Sequence, residues 1–100
     1  MRFKLYQLKD IKNCNYAFMW YSAAIKHGFS FDDYELVYEG NIQAGRYIED
    51  TLENIFVRFN IARPSDFHGH SMSMSDIVEI GGEFYYTDDS GFKKISNDLL

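Results

Sequence analysis

The chain opens with alternation. From Arg2 to Leu8, the side chains of Phe3, Leu5 and Gln7 fall on one side of an extended segment and those of Lys4, Tyr6 and Leu8 on the other, the period of two that marks a strand. Both sides carry apolar groups. Tyr16, Met19, Trp20, Ala23, Ala24 and His27 then recur at helical spacing. Asn15 serves as cap and Gly28 as stop, which predicts a first helix over 16–27. Its other side holds Phe18, Tyr21 and Ile25 with few charges. The helix is read as buried on two sides, the alternative being an aromatic face offered to a partner.

Tyr34 to Glu39 alternates again, between Asp32-Asp33 and Gly40-Asn41, and predicts a second strand. Ile48, Leu52, Ile55, Phe56 and Phe59 mark a second amphipathic helix that ends near Asn60, ahead of Pro64. Glu49, Asp50 and Glu53 lie near its positive N-terminal end and Arg58 near its negative end, an arrangement that stabilises it. After Asp76 the elements shorten: Ile77 to Ile80, a Gly81-Gly82 turn, Glu83 to Thr87, a turn at Asp88 to Gly91, and Phe92 to Ile95. The order β-α-β-α-β-β-β predicts an α+β fold, a mostly antiparallel sheet of about five short strands with two helices on one face.

With 100 residues the chain suits one domain, 1–100, and its nine Phe, eight Tyr and one Trp supply the bulk that a small core needs. A single cysteine, Cys14, excludes an internal disulfide. The residues after Met1 form no apolar signal core, and the reading is a cytoplasmic protein. No apolar run reaches the roughly 18 residues that cross a bilayer, and neither terminus carries a lipidation signal, so no membrane partner is expected. The net charge of −5 is uneven: residues 1–30 hold five basic groups against Asp10 alone, and residues 31–100 hold fourteen acids against five bases. That imbalance opposes direct nucleic-acid binding, which draws its affinity from Lys and Arg; it is compatible with a protein partner with a basic surface, the plainer alternative being an ordinary solubilising surface.

Reactive groups are densest in Phe67-His68-Gly69-His70-Ser71-Met72-Ser73-Met74-Ser75-Asp76. His68 and His70 stand two apart, so an extended segment points both to one side. They are candidate zinc ligands, with Cys14 or His27 as distant contributors, although paired ligand spacing is missing. A hydrolytic set of Ser71, Ser73 or Ser75 with His70 or His68 and Asp76 has the right residue types. Neighbours in one short loop rarely converge in triad geometry, however, and no Gly-x-Ser-x-Gly elbow or phosphate loop is present. The plainer reading is a capped turn in which Ser73 or Ser75, and Asp76, accept from following backbone amides, a buried histidine joins two loop carbonyls, and Met72 and Met74 enter the core.

The same block carries a family resemblance. Tyr6-Gln7-Leu8-Lys9-Asp10, Tyr34-Glu35-Leu36-Val37-Tyr38, Leu52 to Phe56 with Arg58-Phe59-Asn60, Pro64 with Asp66-Phe67, Gly69 to Val78, and Tyr86 with Gly91-Phe92 together resemble the YodL-like domain of mobile genetic elements in Firmicutes. The Gly69-His70-Ser71 to Ser75-Asp76 stretch is its specific part. It implies a structural role for Gly69, His70, Ser71, Ser75 and Asp76; His68 is not part of the motif, and the first helix is more aromatic than its usual counterpart. The resemblance implies no catalytic activity and no required cofactor. What it implies is accessory work for mobile DNA: a small acidic protein that blocks a host defence nuclease, in the manner of an anti-CRISPR, by binding an effector protein. Trp20 and Tyr21 with Glu35, Glu39, Glu49, Asp50 and Glu53 are the candidate partner contacts; a zinc protein built on His68 and His70 is the alternative.

Overall fold

The computed structural model describes residues 1–100 and resolves the pattern into β1 (Arg2–Leu8), α1 (Tyr21–Lys26), β2 (Tyr34–Asn41), α2 (Ile48–Ile61), β3 (Ile77–Ile80), β4 (Glu83–Asp88) and β5 (Gly91–Lys94). The strands form one antiparallel sheet in the order β2-β1-β3-β4-β5. The α+β class and the element order therefore follow the sequence reading. The β3-β4 turn is set by Gly81 and Gly82 at φ 60° and 81°, values that a side chain resists.

Because β1 and β3 present apolar side chains to both faces, each face needs a cover, and the helices divide between them. On one face Phe3, Leu5, Val78 and Ile80 pack with Leu52, Ile55 and Phe59 of α2 and with Met72. On the other, Leu8, Ile77, Tyr86 and Ile95 pack with Tyr16, Ala24 of α1 and Tyr34. The expectation that both helices share a face is corrected by this split.

The first helix is also much shorter than its spacing suggests. Tyr16 leaves the helical path as its hydroxyl donates to Asp33 Oδ2 at 2.7 Å and accepts from the Ser30 amide at 3.3 Å. Phe18 follows at φ 63°, in the left-handed region, so a regular helix starts only at Tyr21. The predicted two-sided burial fails as well: Phe18, Trp20 and Ile25 are 52%, 53% and 43% exposed. The stop signal holds, with Gly28 at φ 89° just past the helix end.

α2 keeps its predicted span. Asp50 Oδ2 accepts from the Tyr47 amide and Thr51 Oγ1 from the Gly45 amide, which ties the helix start to the chain entering it. In β2 the register slips: Leu5 faces Tyr38 but Tyr6 faces Leu36, leaving Val37 as an extra residue in a bulge. Val37 and Tyr38 both turn to the α2 side as a result. Glu35, opposite Gln7, and Glu39, opposite Lys4, end on different faces of the sheet.

Candidate functional site

The segment from Asp66 to Asp76 is folded around one buried amide. Gln7, on the same face as Phe3 and Leu5, is 1% exposed, and its Nε2 donates to Asp76 Oδ2 at 3.0 Å and to the His70 carbonyl at 2.9 Å. Asp76 Oδ2 also accepts from the Ser73 amide at 3.0 Å, so the carboxylate caps the turn that precedes β3. Burial pushes the Asp76 carboxyl up to about 7, while the Ser73 amide, Gln7 and His70 pull it back part of the way. His70 Nδ1 lies 2.8 Å from the Ser71 carbonyl, which can only accept, so this nitrogen carries the proton. Gly69 is required by close approach: a Cβ there would collide with Gln7 Oε1 and come within 2.6 Å of the Phe67 ring.

The capped-turn reading thus holds in outline and changes in detail. Asp76 caps a preceding amide rather than a following one, Ser73 Oγ has no partner, and His70 joins a single carbonyl. Met72 is buried in the α2-side core while Met74 is half-buried.

Ser75 has a different task. At φ 84° it is, with Phe18, one of the two non-glycine residues in the left-handed region, and the two are joined by a hydrogen bond from the Phe18 amide to Ser75 Oγ at 3.2 Å. Its own backbone is clamped on both sides, the amide donating to the Thr87 carbonyl at 3.0 Å and the carbonyl accepting from the Tyr34 hydroxyl at 2.6 Å. The sheet reaches the same loop twice more. The Tyr86 hydroxyl donates to the Met19 carbonyl at 2.7 Å, and Asp88 Oδ1 accepts from the Tyr21 amide at 2.9 Å. The backbone is therefore fixed at residues 18, 19 and 21, while the Phe18 and Trp20 rings stand more than half in solvent. Exposed aromatic side chains are the residue type that anchors protein interfaces, and a backbone already fixed by hydrogen bonds lowers the ordering cost of docking.

The residues singled out from sequence do not form one patch. Trp20 belongs to this ridge, but the Tyr21 ring turns inward against Phe29 and Tyr86. Glu49, Asp50 and Glu53 lie on α2, across the sheet, and Glu39 is paired with Arg2 at 3.3 Å. His68 is exposed, and no three His, Cys, Asp or Glu side chains converge in a geometry that could hold a metal ion. Cys14 and His27 share the wall of a polar cavity of about 360 Å³ with Asp10, Asp32 and Asp33, which neither His68 nor His70 enters. Sequence reasoning missed Gln7 as the organiser of the loop and Tyr34, Tyr86 and Asp88 as braces. A polar residue at a core-facing strand position was the signal available for Gln7; the braces act across 41 to 67 residues and left none.

The profile of the YodL-like domain matches residues 2–97. The chain belongs to the YodL-like domain family. No curated protein and no solved structure matches it. In this YodL-like domain the Gly69 to Asp76 stretch is the element that joins the buried Gln7 amide to the aromatic ridge. No helix is long and apolar enough to cross a membrane.

Proposed function

We propose that this YodL-like domain is a non-catalytic protein-binding module of a mobile element or phage, acting as an inhibitor of a host defence nuclease by binding an effector protein such as a CRISPR effector. The observation that carries the reading is the ridge: two aromatic side chains held outward on a backbone fixed by hydrogen bonds at the residues around them. A stable 100-residue fold gains little from exposing them, and a partner would gain their full contact area. The net charge of −5 favours a basic partner surface and speeds encounter with it.

The test is binding of the purified chain to a panel of purified CRISPR effectors and other defence nucleases, measured by interferometry. Trp20→Ala is expected to weaken the complex by roughly 30-fold or more, the loss typical of an interface anchor. Absence of binding across the panel, or equal affinity of Trp20→Ala and the native chain, would refute the reading.

A further inference from the structure

At the β4-β5 turn a cavity of about 240 Å³ opens between α2 and the sheet, walled by Glu53 and Phe56 from the helix and by Thr87, Asp88, Asp89 and Phe92 from the hairpin. All its charged groups are carboxylates. None belongs to an ion pair, the two pairs of the chain being Arg2 with Glu39 and Lys94 with Glu83. Thr87 is 3% exposed and its hydroxyl has no hydrogen-bond partner. Strand alternation turns this side chain to the α2 face, beside its cross-strand neighbour Phe92, and so toward the cavity. A buried hydroxyl left unpaired is unfavourable, and a donor arriving in the cavity would remove that cost.

The chemistry of the walls selects the occupant. The volume lies below the roughly 300 Å³ at which cofactor and drug-sized sites begin, so it suits a single side chain. The carboxylates call for a cation, and since no metal-ligand geometry exists among them the cation is organic. Phe56 and Phe92 offer ring surface for a flat group to stack on. A guanidinium satisfies all of these together, with a planar face for the rings and several fixed donors for Glu53, Asp89 and the Thr87 hydroxyl; an ammonium lacks the plane.

We propose that this cavity receives one arginine side chain of a protein partner, an inference that rests on the partner-binding reading above and uses a surface separate from the Phe18-Trp20 ridge. Asp88 separates the cavity from the ridge: it borders the cavity at the hairpin, while its Oδ1 holds the Tyr21 amide on the other face of the sheet.

The test needs no partner. The isotope-labelled chain is titrated with N-acetyl-arginine methylamide, and with the lysine and citrulline equivalents, while backbone amide resonances are followed by NMR. Expected is a saturable shift at Thr87, Gly91 and Phe92 with a Kd of about 1–10 mM for the arginine probe, weaker binding of the lysine probe and none of the neutral citrulline probe. Glu53→Gln, a change at an exposed position, is expected to weaken the arginine probe about tenfold with resonances elsewhere unmoved. Thr87→Val should weaken it in the same sense. No saturable shift up to about 50 mM, or equal response to arginine and citrulline, overturns the arginine site. That outcome is separate from a failure of Trp20→Ala to weaken an effector complex, which overturns the ridge.

Discussion

The native protein is expected to lose stability between about pH 4 and pH 7, and replacing Asp76 by asparagine should remove most of that fall. The carboxyl is 1% exposed and is raised from 3.8 to about 7, chiefly because burial disfavours its charged form. In this window the folded state keeps a proton that the unfolded chain has already released. Its stabilising contribution is therefore complete below the unfolded pKa and is lost as pH rises through the folded one. A rise of roughly three units corresponds to about 4 kcal/mol, an upper bound and a large share of the roughly 5–15 kcal/mol that holds a domain together. The amide introduced by Asp76→Asn keeps one acceptor for the Ser73 amide but cannot take a charge. The variant should be less stable than the native chain by about 1 kcal/mol at low pH, where the native acid is protonated, and equal or more stable at pH 8. Urea unfolding followed by far-ultraviolet circular dichroism at half-unit pH steps measures both curves. Parallel curves for the two proteins across this range would refute the assignment of the pH dependence to Asp76.

Three further changes, at two positions, probe the same loop. Gly69→Ala pushes a methyl group into the Gln7 amide and the Phe67 ring, and should lower stability by about 1–3 kcal/mol in chemical unfolding. Ser75→Ala removes the acceptor for the Phe18 amide and keeps the left-handed backbone, costing about 1 kcal/mol; Ser75→Gly loses the same bond but relaxes the backbone and should be nearly neutral. Amide relaxation at residues 17–20 should show increased mobility in both Ser75 variants, and unchanged order there would refute the bracing role.

The elements that can be read from sequence are those whose pattern is local. α2 and the β3-β4 hairpin keep apolar spacing and turn residues within a few positions of each other, and both appear where expected. Spacing alone overextends the first helix because Tyr16 and Met19 fit a helical period, whereas the Tyr16 hydroxyl is claimed by Ser30 and Asp33. Apolar groups on both sides of β1 already imply a sheet covered on both faces, which one layer of helices cannot supply. In the Gly69 to Asp76 stretch, the turn-forming chemistry of Asp76 is visible in its residue type. The Phe18-Ser75 bond is not, because it joins positions 57 apart in sequence and depends on a backbone region that neither residue favours.

That bond bears on why the ridge exists at all. Two non-glycine residues in the left-handed region cost about 1–2 kcal/mol each. Glycine at 18 would remove its share of that cost. What Phe18 returns by burial is small, because complete burial of a phenylalanine contributes about 1.5–3 kcal/mol and this residue is 52% exposed. The balance for the isolated fold is near zero or unfavourable, and burial is likewise incomplete at Trp20, a residue 53% exposed beside a fixed backbone. Folding stability alone does not account for aromatic residues at these two positions. On the partner-binding proposal their free energy would be realised once a second surface covered them, and the Ser75 turn, with its backbone clamped to Tyr34 and Thr87, holds the loop in the conformation that such a surface would meet.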